Sequence, residues 1–199
     1  YGQLGRGQSN RHPCVKAADC RLDIGAIAGI DNAVMLAAGY NHNLVLTKDG
    51  SVWAFGANAQ GQLGNNTAID SSIPVKVDFS AAEGVSHIVQ VVASSSSSYA
   101  LDDNGQVWGW GSDASANLGR GQACNKANHC LNINNKPLRI NVIAKYLADH
   151  TTQGVEKEIV TQLAAGKDHV LALTNKESVY GWGLNASSQI GYNGIGFRD

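Results

Sequence analysis

One long motif occurs three times in this chain, and this repetition limits the folds that the sequence can adopt. The copies read LAAGYNHNLVLTKDGSVWAFGANAQGQLG from Leu36, VVASSSSSYALDDNGQVWGWGSDASANLG from Val91 and LAAGKDHVLALTNKESVYGWGLNASSQIG from Leu163. A unit that recurs every few tens of residues is typical of a repeat architecture, in which each unit packs against its neighbours. We therefore expect function to reside in surfaces rather than in one catalytic motif.

Each copy has the pattern of short β-strands joined by a tight turn. The turn is Asp49-Gly50 in the first copy and Asn104-Gly105 in the second, dipeptides that favour β-hairpins. The third copy has the weaker turn signal Lys176-Glu177. A β-branched and aromatic strand then follows in each copy: Val52-Trp53-Ala54-Phe55, Val107-Trp108-Gly109-Trp110 and Val179-Tyr180-Gly181-Trp182. The sequence predicts an all-β fold, either a propeller or a solenoid.

The spacing of the copies indicates where the extra residues lie. Phe55, Trp110 and Trp182 are separated by 55 and 72 residues, whereas a four-stranded blade needs roughly 40–50 residues. The excess falls in the loops that follow the Leu-Gly at the end of the first two copies. Loops of variable length on a constant framework are common binding sites.

We expect one partial propeller domain over residues 1–199. Residues 1–7, YGQLGRG, match the repeat ending Gly61–Gly64, so residues 1–30 are predicted to hold the tail of a blade and a cysteine loop. The predicted repeats are 31–85, then 86–155 with a second cysteine loop, then a truncated repeat over 156–199. This arrangement predicts that the chain is part of a longer array.

Composition excludes several function classes. The 199 residues carry a net charge of −1 and only 16% of them are charged, so the chain has no basic excess to neutralise a phosphate backbone. No apolar run approaches the length of a membrane span. We expect neither nucleic-acid binding nor a membrane span in this segment.

The repeated motif resembles the regulator of chromosome condensation repeat. The matching residues are Ala38-Gly39, His42 and Gly61–Gly64 in the first copy, with Ala165-Gly166, His169 and Gln189-Ile190-Gly191 in the third. The resemblance implies a β-propeller, usually of seven blades; together with the cysteine pairs described below, it leads us to expect an extracytoplasmic, bacterial-type member of the family. About three and a half four-stranded blades would leave open edges. Such edges are expected to be covered by further chain or by an assembly.

The middle copy departs from this pattern. Ser94-Ser95 are predicted to replace Ala-Gly, and Ser98 is predicted to stand where histidine is expected. Because His42 and His169 recur at one repeat position, we expect them to tie neighbouring strands or blades together rather than to act in catalysis or metal binding. The four tryptophans are expected to fill the space between blades; a stacking platform for a sugar or base is the alternative.

The four cysteines form two local pairs, each with five residues between its members: Cys14 with Cys20, and Cys124 with Cys130. Each pair follows LGRGQ, and the two copies of that segment are 114 residues apart. A disulfide in each loop would stabilise the fold by roughly 2 kcal/mol. Metal ligation and free thiols are the alternatives, although a zinc knuckle has two to four residues between cysteines.

Paired cysteines in polar loops favour disulfides, and disulfides favour an oxidising compartment. The chain is therefore expected to be periplasmic, secreted or at the cell surface. Such loops, pinned between blades, would lose little entropy on binding.

The sequence contains no nucleophile elbow, phosphate-binding loop or zinc-protease helix, and we predict no catalytic residues, metal or cofactor. The favoured interpretation is a non-enzymatic module that binds another protein or a surface ligand. The partner could also be a neighbouring copy or the rest of the chain's own propeller. The resemblance implies the alternative of an exchange factor for a Ran-like small GTPase. A secreted enzyme inhibitor or a glycan-binding lectin is a further alternative. The residues predicted to bind are Arg11, His12, Lys16, Lys126 and His129.

Overall fold

The computed structural model describes residues 2–7, 25–119, 134–140 and 157–191. These residues form eleven β-strands: β1 (Ala33–Ala38), β2 (His42–Thr47), β3 (Val52–Gly56), β4 (Ser71–Lys76), β5 (Ile88–Ala93), β6 (Ser97–Asp102), β7 (Val107–Gly111), β8 (Asn134–Arg139), β9 (Val160–Ala165), β10 (His169–Thr174) and β11 (Val179–Gly183). The strands build three antiparallel sheets, β1-β2-β3-β4, β5-β6-β7-β8 and β9-β10-β11. The prediction of an all-β fold with four-stranded blades is confirmed for the first two sheets.

The predicted hairpins lie between the second and third strands of each sheet. Gly50 and Gly105 have φ angles of 79° and 74°, and Glu177 takes the same left-handed conformation with φ 61°. The third turn therefore forms despite its weaker sequence signal, because pairing of β10 with β11 holds a non-glycine residue in that conformation.

The outermost strands of the two complete sheets are protected at their free edges. Each carries a proline at its fourth position, Pro74 in β4 and Pro137 in β8. Proline has no N–H to offer, so it discourages another strand from pairing with an exposed edge.

The sheets pack face to face through two apolar clusters. The first cluster joins the first and second sheets, with Leu44, Leu63, Trp108 and Trp110 among its members. The second joins the second and third sheets and includes Trp182. Trp108, Trp110 and Trp182 thus fill the space between blades, as predicted. Trp53 is only half-buried.

Strand pairing corrects the alignment of the serine-rich copy. The partner of the terminal glycine is His42 in the first sheet, Ser97 in the second and His169 in the third. Ser97, not Ser98, therefore occupies the histidine position, and the prediction for Ser98 is wrong by one residue. Ser94 occupies the glycine position, since its N–H donates to Ser97 O as that of Gly39 donates to His42 O. The predicted match of Ser94-Ser95 to Ala-Gly is therefore also displaced by one residue, because it does not keep the 55-residue offset that relates the two copies.

The Gly-x-x-His motif is a steric pair. A Cβ atom placed at Gly39 would lie 2.6 Å from Nδ1 of His42, and one at Gly166 would lie 2.6 Å from Nδ1 of His169. In the middle copy the small Ser97 leaves room for the side chain of Ser94. In the middle copy, Ser94 and Ser97 therefore replace the glycine and the histidine of the other copies as a pair.

Residues 2–7 contact the first sheet in the way that residues 61–66 contact the second. The N–H of Gly7 donates to Ser72 O at 2.7 Å, and the N–H of Asn66 donates to Asn135 O at 2.8 Å. The segment that precedes the first sheet therefore has the geometry of a repeat ending. Within the described residues, no helix is long and apolar enough to cross a membrane.

Candidate functional site

The connections of the three sheets lie at two opposite ends of the strands. One end, here called the loop end, carries residues 39–41, 94–96 and 166–168, together with the segments that leave β3, β7 and β11. The other end carries the three hairpins and is here called the hairpin end. Asn134 lies at the same end, opposite Gly111, and the N–H of Gly7 donates to Ser72 O near the start of β4.

Backbone hydrogen bonds join the three short loops of the loop end. The N–H of Tyr40 donates to Ser95 O at 3.4 Å, and the N–H of Ser95 donates to Lys167 O at 3.0 Å. These three residues occupy the same position in successive repeats. The side chain of Tyr40 is 81% exposed, and Lys167 is also exposed. The loop end thus combines a fixed backbone with side chains that differ from repeat to repeat.

A buried hydrogen-bond cluster fastens the first sheet to the second beneath this surface. Nε2 of His42 lies 2.9 Å from Oγ of Ser98, and that hydroxyl donates to the carbonyl of Gln62 at 2.8 Å. The indole N–H of Trp110 donates to the same carbonyl at 2.9 Å. Because the single hydroxyl proton points at Gln62, His42 must donate through Nε2.

The environment of His42 keeps its ring neutral. Its Nδ1 is buried without a hydrogen-bond partner, and burial lowers the pKa of His42 from 6.5 to about 4. A neutral ring suits a structural donor, and the predicted role of His42 in joining blades is confirmed. The side chain of His169 is half-buried, and its ring makes no hydrogen bond with another described residue.

The same carbonyl position accepts hydrogen bonds at the other two contacts between repeats. Nδ2 of Asn43 donates to Gln3 O at 2.7 Å, and the indole N–H of Trp182 donates to Asn117 O at 3.0 Å. The Gln or Asn of the repeat ending therefore serves as a backbone acceptor for the following sheet. The sequence analysis missed this role because the acceptor is a main-chain atom, which leaves no trace in the residue types. The donor side chains on the second and third strands of the sheets were the signal that could have indicated it.

Polar side chains inside the second sheet are also committed to the fold. Nδ2 of Asn117 donates to Ser97 Oγ at 2.9 Å, and the Tyr99 hydroxyl donates to Asn117 O at 2.9 Å. Burial raises the pKa of Tyr99, so this hydroxyl stays protonated and remains a donor. None of these groups opens onto a cleft where a substrate could bind.

A carboxylate recurs at the hairpin end, although it comes from a different position in each repeat. Asp49 accepts from Thr47 Oγ1 at 2.6 Å, Asp102 from Trp108 Nε1 at 3.0 Å, and Glu158 from Thr174 Oγ1 at 2.6 Å. The bond from the Thr47 hydroxyl is the main reason that the pKa of Asp49 falls to about 2. Sequence alignment does not reveal this recurrence, since only the spatial position is shared.

The residues that the sequence singled out for binding lie outside the described ranges. These are Arg11, His12, Lys16, Lys126 and His129, together with Cys14, Cys20, Cys124 and Cys130. Among the residues that are described, no group of three or more His, Cys, Asp or Glu side chains could hold a metal ion.

Comparison with known proteins agrees with the repeat pattern. The family model described as the regulator of chromosome condensation (RCC1) repeat matches residues 49–101 and 104–173. A second model of the same repeat matches residues 88–116 and 160–189. This chain belongs to the RCC1-repeat family. The predicted resemblance is therefore confirmed, and the three sheets are RCC1 blades.

Several relatives cover almost the whole chain. The regulator of chromosome condensation of Drosophila melanogaster is 32% identical over 96% of this chain, and the ultraviolet-B receptor UVR8 of Arabidopsis thaliana is 26% identical over 96%. The chain spans only 29% and 48% of those two proteins.

Two solved structures share the fold of this chain. Human WBSCR16 matches 92% of this chain with a TM-score of 0.66 and 25% identity. Prp20p of Saccharomyces cerevisiae, which binds Gsp1p and histones, matches 82% with a TM-score of 0.58 and 28% identity. This chain covers 40% and 35% of those two structures. Both similarities support a propeller architecture.

Proposed function

We propose that this chain is a non-enzymatic protein-binding module that contacts its partner through the loop end. The observation that carries the proposal is the convergence of three short loops at that end, where backbone hydrogen bonds join Tyr40, Ser95 and Lys167. A surface that is ordered before binding loses less conformational entropy when the partner docks.

The side chains of the loop end are suited to recognition. Tyr40 is a large aromatic residue with 81% of its surface exposed, and tyrosine is enriched among residues that dominate binding energy. Lys167 adds a positive charge at the same position of the third blade. The middle blade has Ser95 at this position, so serine is an uncharged replacement for Tyr40 and for Lys167 that the repeat already contains.

Three baits would test the proposal: the wild-type chain, a loop-end variant and a hairpin-end variant. The loop-end variant carries Tyr40→Ser and Lys167→Ser, which give all three blades the residue of the middle one. The control carries Lys48→Asn and Asp103→Asn, which copy the exposed Asn175 of the third blade. Proteins captured from the source organism would be identified by mass spectrometry, and one would be purified for calorimetry.

We expect the wild type and the hairpin-end control to capture a partner that the loop-end variant does not capture. In calorimetry, the dissociation constant of the loop-end variant for this partner should be at least about tenfold higher than that of the wild type. Equal retention by the loop-end variant, or loss only in the hairpin-end control, would refute the loop end as the binding surface.

Exchange activity toward a Ran-like small GTPase is the second candidate, favoured by the similarity to Prp20p, which binds Gsp1p. The test is release of a fluorescent GDP from a purified Ran-like GTPase, with and without this chain. Acceleration that the loop-end variant loses would support exchange activity, whereas release at the intrinsic rate would exclude it for this segment.

We also propose an oxidising, extracytoplasmic location, on the basis of the two local cysteine pairs. Thiol titration of the denatured, unreduced protein is expected to find no free thiols. Four free thiols would overturn both the disulfides and this location, while leaving the binding proposal untouched.

A further inference from the structure

Met35, the only methionine among the 199 residues, lies at a contact between the first two sheets. Its side chain is half-buried against the first apolar cluster, and its Sδ accepts from the N–H of Val91 at 3.5 Å. Val91 is only 2% exposed, so its N–H depends on an acceptor from the protein. A thioether sulfur is a weak acceptor. The contact therefore joins a buried donor to a poor acceptor.

The next contact along the chain has a strong acceptor at the same position. Gln90 follows Met35 by 55 residues and Leu163 follows Val91 by 72 residues, which are the separations that relate successive copies of the motif. Oε1 of Gln90 accepts from the N–H of Leu163 at 2.7 Å, and Nε2 donates to Leu163 O at 2.8 Å. The two contacts are thus equivalent, with glutamine in one and methionine in the other.

A β-bulge gives both side chains the same backbone setting. In the first sheet the register shifts between Ala33 and Met35, and in the second sheet it shifts between Ile88 and Gln90. A bulge bends the strand and changes the direction of the side chain beside it. Because the setting is shared, the geometry around Gln90 shows where an oxygen acceptor at position 35 would lie.

Oxidation would turn the side chain of Met35 into a close analogue of glutamine. In methionine sulfoxide the new oxygen is bonded to Sδ, as Oε1 of Gln90 is bonded to Cδ, and the Cε methyl group stands where glutamine has Nε2. The oxygen is therefore as many bonds from the backbone as the one that accepts from Leu163. The side chain must turn so that this oxygen, rather than the sulfur, faces the N–H of Val91, and its three rotatable bonds permit this.

We propose that Met35 is an oxidation site whose sulfoxide strengthens the contact between the first two sheets. The oxidant is hydrogen peroxide. A lone pair of Sδ attacks one peroxide oxygen, so that an S–O bond forms and the O–O bond breaks. The hydroxide that leaves takes the proton of the new S–O–H group and becomes water, and sulfur is oxidised while peroxide is reduced.

The buried N–H of Val91 is what distinguishes this site from an ordinary methionine in a core. Oxidation commonly disrupts a core because the sulfoxide is polar, and a buried polar group without a partner destabilises the fold. At Met35 the new oxygen meets a donor that has only a weak acceptor in the reduced protein. This role is independent of the partner and of the location proposed above.

The test begins with the wild-type chain, which is treated with hydrogen peroxide until mass spectrometry finds one added oxygen on Met35. NMR measures hydrogen exchange of the Val91 amide, and urea titration measures the equilibrium constant of unfolding. Oxidation should slow the exchange at least about threefold and lower the unfolding constant by a similar factor. Reduction by methionine sulfoxide reductases should restore both values.

Three variants serve as matched controls. Met35→Gln copies the second contact and should match the oxidised wild type without any peroxide. Met35→Leu has a similar volume but no acceptor, so it should be less stable than Met35→Gln and should not respond to peroxide. Gln90→Met is the reciprocal change, and it should make exchange of the Leu163 amide sensitive to peroxide.

Three outcomes would overturn the proposal. In the first, Met35 of the folded chain stays unoxidised while free methionine in the same solution is consumed. In the second, the oxidised chain is no more stable than the reduced chain, or its Val91 amide exchanges no more slowly. In the third, Met35→Gln is no more stable than Met35→Leu. The first two measurements use the wild type and therefore do not depend on the folding of a variant.

Discussion

The stability of the fold should decrease in mild acid, and His42 should be the main cause. The neutral ring is buried in the native state with a pKa of about 4, against 6.5 in an unfolded chain. Between these values the unfolded state binds a proton that the native state does not, so the free energy of unfolding falls as pH falls from 6.5 to about 4. Each pKa unit corresponds to about 1.4 kcal/mol, which gives a loss of about 3 kcal/mol. The contribution of His42 is fully retained above pH 6.5.

Urea titrations of the wild type and of His42→Gln at several pH values between 7 and 4 would measure this loss. The His42→Gln variant should lose about 3 kcal/mol less than the wild type over this range. The reasoning is refuted if the wild type and His42→Gln lose stability in parallel, or if NMR shows the His42 ring protonated at pH 5.5 in the native protein.

Two core substitutions test other parts of the packing. Gly39→Ala should destabilise the protein by about 1–3 kcal/mol, because its Cβ would lie 2.6 Å from Nδ1 of the buried His42 ring and 2.6 Å from the carbonyl oxygen of Ser94. Gly166→Ala should cost less than about 1 kcal/mol, since the half-buried ring beside it can rotate outward; equal costs in urea titrations would contradict this steric account. Trp108→Phe removes a hydrogen bond to the buried Asp102 and should cost about 1–3 kcal/mol. A loss below about 0.5 kcal/mol in the same titrations would show that Asp102 does not depend on that donor.

Much of the fold could be predicted because the repeat carries local physical signals. Asp-Gly and Asn-Gly favour the hairpin conformation, and alternating aromatic and small residues favour strands. The recurrence of His42 at the position of His169 indicated a structural role. The position of Ser97 could also have been read from the sequence, because the three copies have equal length and Ser97 lies 55 residues after His42, just as Gly105 lies 55 residues after Gly50; the pairing of Ser97 with Gly111 confirms it.

The candidate site was less predictable than the fold. Sequence analysis located binding in the cysteine-bearing segments, but it could not show that Tyr40 and Lys167 lie on neighbouring loops that Ser95 joins. It also could not distinguish Val52 and Val107, which are 1% and 2% exposed, from Val179, which is 65% exposed. Exposure is a property of the neighbours of a residue, and these neighbours lie far away in the chain.

The sequence by itself determined that this protein is an array of RCC1 blades with hairpins at fixed places, because strand and turn preferences act over a few residues. Only the tertiary structure decided how His42, Ser98 and Gln62 meet, and why Gly39 accompanies a histidine while Ser94 accompanies a serine. These relations depend on contacts across separate blades, where a single proton or a single Cβ atom determines which side chains fit together.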